Sequence, residues 1–269
     1  KPEKVSVPNS LISRQWFSYI FVVGLGGALY PQAIQRIYAA RSQKVLRNGV
    51  ATMAFLPLTA SLIAVLVGIT ALASPELSGL SSEDSDRVFS EVCKIVMGKS
   101  VLHRWLVVLL LSAVLAALMS TADSVLLSVS SMLTKDIYYR QINPKASQAR
   151  LTFIGKSISL IVVFIMASVA IYLQSLENKP TLVKLMNMKF DMLMQLAPGF
   201  ILGMYWRGMK ANAPFWGLVG GLICVFALYP VSTLSNWGIH AGVFGLVVNL
   251  LIIFIISNFS RENKSSIGS

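Results

Sequence analysis

The segment most able to do chemistry is a run of small and hydroxyl residues inside a long apolar stretch, residues 115–138. In an α-helix, four residues of this run fall within one sector about 100° wide. They are Ala117, Ser120, Thr121 and Ser124. Neutral hydroxyl and carbonyl oxygens on one face are typical of half a site for a hard monovalent cation, which carbonyls of a broken helix elsewhere would complete. The alternative is that the hydroxyls bond their own helix carbonyls and allow close helix packing.

Asp123 is an acidic residue in the middle of the same apolar stretch. An ionisable residue at membrane depth costs at least about 2.5 kcal/mol unless it faces a cavity or a partner, so it is a functional candidate. It lies about 60° from Ser120 around the helix. We therefore expect Asp123, together with Ser124, to support the ion site or to line an ion pathway. A structural salt bridge, or a position nearer the membrane surface, is the alternative.

A second cluster combines glycines with a proline: Gly24, Gly26, Gly27 and Pro31 lie within eight residues. Such residues interrupt helices, and an interrupted membrane helix exposes backbone groups to a solute. Gly26, Gly27 and Pro31 are therefore candidates for gating or for lining a substrate cavity. Close packing of helices through small residues explains the cluster equally well.

Most enzymatic chemistry lacks participants in this sequence. It holds only two histidines, His103 and His240, and it shows neither a metal-ligand cluster nor a phosphate-binding glycine loop. We predict a protein that is not an enzyme and uses no cofactor. The net charge of +12 is spread over short clusters between apolar runs. Nucleic acid is therefore not a predicted partner.

The elements that carry these residues are seven apolar runs. The chain has 269 residues, of which 55% are hydrophobic and 13% are charged. Helices of this length cross about 30 Å of hydrocarbon, which predicts an all-α integral membrane protein. The predicted transmembrane spans are residues 16–35, 48–74, 105–134, 157–176, about 181–206, 212–229 and 239–259. The fifth is the weakest because charged residues begin it, and its Gln195 is a further candidate for a substrate cavity.

Basic residues predict the orientation of the chain in the membrane. The loop after the first span carries Arg36, Arg41, Lys44 and Arg47, whereas residues 75–104 mix cations with acids. Dense basic loops lie in the cytoplasm. Residues 1–15 are then outside, residues 75–104 form an external loop with a helical segment near 84–98, and the tail 260–269 is cytoplasmic. The predicted location is the plasma or inner membrane.

Two motifs resemble those of the sodium:solute symporter family, which includes bacterial proline, pantothenate and sugar carriers. The first is Pro31-Gln-Ala-Ile-Gln-Arg36, at the predicted cytoplasmic end of a core helix. The second is Met119-Ser-Thr-Ala-Asp-Ser124, followed by Thr134-Lys-Asp-Ile-Tyr138. The resemblance covers nearly the whole chain.

This resemblance implies a LeuT-like core of two inverted five-helix repeats. Residues 16–206 match the second repeat, and residues 207–259 match two extra C-terminal transmembrane helices. The family's sodium site falls here on the carbonyl of Ala117 and the hydroxyls of Ser120 and Thr121. Its other ligands belong to a first repeat that has no counterpart in these residues. We therefore expect a missing N-terminal half as a partner, in cis or in trans.

The function implied by the resemblance is sodium-coupled secondary active symport of a small organic solute, with Na+ as the coupling ion and the lipid bilayer as surroundings. The chain is expected to be incomplete on its own, as a fragment, a subunit of a split transporter or an inactive remnant. Two other hypotheses stay open: a membrane sensor or input module, and a scaffold subunit that does not transport.

Overall fold

The computed structural model describes residues 9–77, 85–176, 179–229 and 237–265, and within these ranges the chain is helical and has no strand. The α-helices are α1 (Ser10–Ala28), α2 (Pro31–Tyr38), α3 (Gln43–Ala73), α4 (Val88–Met97), α5 (Val101–Met132), α6 (Gln148–Ser175), α7 (Leu182–Leu193), α8 (Ala197–Tyr205), α9 (Ala213–Leu228) and α10 (Ala241–Ser265). The prediction of an all-α chain is confirmed.

The chain forms two compact units. Unit 1 comprises residues 1–34 and 183–269, and it contains α1 and α7 to α10. Unit 2 comprises residues 35–182, and it contains α3 to α6. The predicted boundaries at residues 206 and 259 concern the repeats of a larger fold and stay predictions.

Four helical segments are long and apolar enough to cross a membrane: Gln43–Ala71, Val101–Ile142, Gln148–Ser175 and Ala241–Asn258. The pair α1 and α2 adds a fifth if it is counted as one span. The remaining two predicted spans are shorter in the structure. Helix α9 has 16 residues, and the fifth predicted span is divided into α7, a 3-10 turn and α8.

Serines begin the three long helices of unit 2. The side chains of Ser42, Ser100 and Ser147 each accept a hydrogen bond from the backbone N–H three residues further on. Each bond satisfies one of the N–H groups that a helix start leaves without a partner. Helix α4 packs against α5, and it confirms the helical segment predicted near residues 84–98.

Helix α5 ends in an unusual way. It continues directly into a π-helix, Leu133–Ile142. A short connection follows, and α6 then packs against both α5 and the π-helix. The wide π-helical turns and the first turns of α6 therefore lie side by side. Long π-helical segments are rare, and π-helical turns occur frequently at functional sites.

Unit 1 is held together by a small apolar core and by closely packed helices. Val22 of α1, Phe190 of α7, Met194 of the 3-10 turn and Leu246 of α10 form the core. Helices α9 and α10 pack against each other through glycines. Small residues are the usual means by which membrane helices approach closely.

Helices α1 and α2 form a broken helix. Residues 29–30 separate them, and their axes differ by 49°. Pro31 is the first residue of α2, a position where its missing N–H costs nothing. The break lies next to the glycine cluster of the sequence.

Candidate functional site

The hydroxyl-rich face of α5 presents the predicted ion-binding atoms in unit 2. The Oγ1 of Thr121 donates a hydrogen bond to the carbonyl of Ala117, at 3.0 Å. This bond is the one expected of a hydroxyl within a helix, which donates to the carbonyl four residues earlier in the chain. It also places two neutral oxygens side by side, close enough for one small cation to contact both.

Ser120 differs from its neighbour because its hydroxyl forms no hydrogen bond within the described part of the chain. Its carbonyl accepts from the Oγ of Ser124 at 3.0 Å. Ala117, Ser120, Thr121 and Asp123 are all exposed, and Ser124 is half-buried. On this exposed set, which we call the open oxygen face of α5, the Ser120 hydroxyl has no partner among the described residues. The Thr121 and Ser124 hydroxyls bond carbonyls of their own helix, as the alternative to an ion site expects.

Asp123 is exposed on α5, and it forms no ion pair among the residues that the structure describes. The structural salt bridge considered for it is therefore absent from this part of the molecule. Its charge stands next to the hydroxyl face, as its position on the helix predicts.

The hydroxyls continue along α5 in steps of four residues. Ser128 is buried, and its Oγ lies 2.9 Å from the carbonyl of Ser124 and 2.9 Å from the Oε1 of Gln35. Gln35 belongs to α2 and to the first of the two motifs. A side-chain hydrogen bond therefore joins the first motif to the hydroxyl-rich stretch that follows Ser124, and a line of polar groups runs from Ser120 to Gln35.

The residues of the glycine cluster have different surroundings. One glycine packs closely against another helix, and the proline lies at the break between α1 and α2. A Cβ on Gly26 would lie 2.9 Å from the carbonyl oxygen of Phe190, so Gly26 allows α1 to approach α7. A Cβ on Gly27 would be 3.8 Å from the Phe190 ring, and one on Gly24 would meet nothing within 4 Å. Only Gly26 is needed for close packing, and Pro31 stands at the break itself.

Gln195 lies at the centre of a buried polar cluster in unit 1. Its Nε2 donates to the carbonyls of Asp191, at 3.1 Å, and of Gly242, at 2.9 Å. The Nδ2 of Asn249 donates to the Gln195 carbonyl at 2.7 Å. These bonds join the 3-10 turn between α7 and α8 to α10, so the side chain of Gln195 holds helices together.

Asp191 and His240 extend this cluster towards α1. The Oδ1 of Asp191 accepts from the N–H of Gly242 at 3.1 Å, and it lies 4.0 Å from the Nδ1 of His240. The backbone N–H of His240 donates to the Oγ of Ser18 at 2.8 Å. Asp191 is almost fully buried, and its polar partners are the first turn of α10 and the histidine just before it.

A cavity of about 380 Å³ lies beside the break in unit 1. Its walls are mostly apolar, and they include Leu29 at the break, Pro214 and Phe215 of α9, and Gln195. Its volume is in the range of small-molecule pockets. Gly26, Gly27 and Pro31 do not line it.

Sequence reasoning missed three residues of these clusters: Gln35, Ser128 and Asn249. The signal for Asn249 was present, because it is an amide in the middle of the last apolar run, as Asp123 is an acid in the third. Ser128 continues the four-residue spacing of Ser120 and Ser124. The partner of each could not be predicted, because the sequence does not tell which helices meet.

The apolar helices of bilayer length in the described residues are those of an all-α integral membrane protein. The chain matches the sodium:solute symporter family over residues 5–221. It belongs to this family.

The curated relatives include two sodium/proline symporters. One, from Haemophilus influenzae, is 29% identical over 254 residues, which cover 91% of this chain and 48% of the relative. Another, from Staphylococcus aureus, is 28% identical over 272 residues, covering 95% of this chain and 51% of the relative. The chain thus spans about half the length of these relatives. No solved structure matches it.

Proposed function

We propose that this chain supplies one half of a sodium-coupled symporter for a small organic solute. The observation that carries the proposal is the open oxygen face of α5 in a member of the sodium:solute symporter family. The carbonyl of Ala117 and the hydroxyls of Ser120 and Thr121 bind the coupling sodium ion. Asp123 and Ser124 stand beside the ion, and the polar line to Gln35 is its pathway.

The other ligands come from a first repeat, joined to this chain in cis or in trans. Bound sodium ties α5 to that repeat and stabilises an outward-open state, to which the solute binds more tightly. The break between α1 and α2, with Gly26, Gly27 and Pro31, serves as the gate. Gln195 holds the wall of the adjacent cavity, and proline is the first solute to test because the relatives named above carry it.

The sodium site is tested by thermal unfolding of the chain with a matching N-terminal half, in sodium and in potassium at equal ionic strength. We expect protection by sodium alone, and a loss of sodium affinity of at least about tenfold in Ser120→Ala and in Thr121→Ala, because each removes a ligand oxygen of an ion. Thr121→Ser keeps the hydroxyl and should keep the affinity.

Ser112→Ala is the matched control. Ser112 is an exposed hydroxyl of the same helix, and its Oγ donates to its own helix at the Val108 carbonyl, at 2.8 Å. Loss of the Ser112 hydroxyl should leave unchanged the protection that sodium gives against thermal unfolding. Equal effects of the Ser112 and Ser120 variants, or protection by potassium as large as that by sodium, would remove the proposed site.

A further inference from the structure

A second cavity, of about 600 Å³, lies in unit 2 between the end of α5 with its π-helix and the first turns of α6. Its lining includes Leu127, Thr134, Lys135, Lys156, Leu160 and Val163. This cavity is separate from the open oxygen face of α5. Its volume suits a small molecule or a lipid head group.

Two lysines give the cavity its charge. Lys135 is at the start of the π-helix and Lys156 is in the third turn of α6, and both are exposed. Neither forms an ion pair within the described residues, since the adjacent Asp136 pairs with Arg140 at 3.7 Å. Two lysines that line one cavity provide ammonium groups suited to binding phosphate oxygens.

The lining of the cavity also includes a residue with a buried hydroxyl. Thr134 is buried, and its Oγ1 has no hydrogen-bond partner among the described residues. Buried polar atoms are nearly always hydrogen-bonded, so an orphaned hydroxyl in a cavity wall points to a missing partner. A phosphate or ester oxygen would accept its proton.

The apolar side of the cavity distinguishes a lipid from a soluble anion. Leu127, Leu160 and Val163 line it and are themselves 68%, 72% and 45% exposed. They lie on helical segments that are apolar enough to span a membrane. The wall of the cavity is therefore continuous with the surface that acyl chains cover, while the lysines stand at its polar end.

We propose that this cavity binds an anionic phospholipid, with its phosphate between Lys135 and Lys156, a hydrogen bond from Thr134, and its acyl chains along Leu127, Leu160 and Val163. A basic pocket between membrane helices is the kind of site that anionic head groups occupy. The site is independent of the proposed transport function.

The test is native mass spectrometry of the purified full chain, titrated with phosphatidylglycerol and with phosphatidylcholine of the same acyl chains. Each basic residue strengthens binding to anionic lipid by about fivefold, so Lys135→Gln with Lys156→Gln should weaken phosphatidylglycerol binding by roughly 25-fold. Phosphatidylcholine binding should not change.

Lys145→Gln with Arg150→Gln is the matched control, because it removes the same charge between the π-helix and α6 at positions that do not line the cavity. It should weaken binding far less. Thr134→Val keeps both lysines and should still weaken binding severalfold, which tests the site even if the double lysine variant fails to fold. Equal losses in the two double variants, equal affinity for both lipids, or displacement of the lipid by inorganic phosphate would overturn the proposal.

Discussion

In unit 1, two side-chain oxygens lie where any residue other than glycine at positions 217 and 221 would place its Cβ. The Oε1 of Gln195 and the Oδ1 of Asn249 are buried, and neither has a hydrogen-bond partner among the described residues. A Cβ on Gly221 would lie 2.5 Å from Gln195 Oε1, and one on Gly217 would collide with Asn249 Oδ1. The glycines of α9 therefore accommodate the amides, and their Cα–H groups are weak partners for these oxygens.

This contact predicts that Gly221→Ala is destabilising. The added methyl would also lie 3.0 Å from the carbonyl oxygen of Gly245, and overfilling a packed site costs about 1–3 kcal/mol. Thermal unfolding in detergent, followed by tryptophan fluorescence, measures the loss. Gly24→Ala is the control, because a Cβ there meets nothing within 4 Å; an equal loss in both variants would contradict the role given to Gly221.

Among the helices, the contact between α2 and α5 links the first family motif to the hydroxyl-rich stretch of α5. Ser128 is the only one of the three serines at 120, 124 and 128 that the structure shows bonded to another helix, and its partner is the side chain of Gln35. A hydrogen bond between membrane helices fixes their register, although it adds little stability. The bond therefore positions α5 against the second half of α2.

A double-mutant cycle measures this bond. We expect Ser128→Ala and Gln35→Ala to couple by about 0.6 kcal/mol, the average for hydrogen bonds between membrane helices. The cycle of Ser112→Ala with Gln35→Ala should show no coupling, because Ser112 bonds only within its own helix. Coupling of equal size in both cycles would mean that the hydrogen bond is not the cause.

For the whole molecule, we propose that the N-terminus lies outside and the C-terminus in the cytoplasm. Lys99 and Lys145 are both exposed, and the predicted orientation puts them on opposite sides of the membrane. In a background without Cys93 and Cys224, a membrane-impermeant maleimide should label Lys99→Cys in intact cells. It should label Lys145→Cys only after the membrane has been permeabilised. The reverse pattern would invert the proposed topology.

Properties that depend on residues close together in the chain could be predicted from the sequence. Runs of apolar residues predict helices in a membrane whatever they later touch, and α5, α6 and α10 follow those runs. Helix α4 and the break near Pro31 are also indicated by residues close to them in the sequence. The α5 hydroxyl face also follows from helical spacing alone.

The partners of the polar groups follow from the packing of the helices and could not be predicted from the sequence. Gln195, a predicted candidate for a substrate cavity, lines a cavity and also donates from its amide to α10. Asn249 and Ser128 matter because of the helices that come to lie beside them. Membrane helices associate through packing and a few hydrogen bonds rather than through burial of apolar surface. Composition therefore places the long apolar helices in the bilayer, whereas the choice of neighbours depends on small local fits such as Gly221 against Gln195.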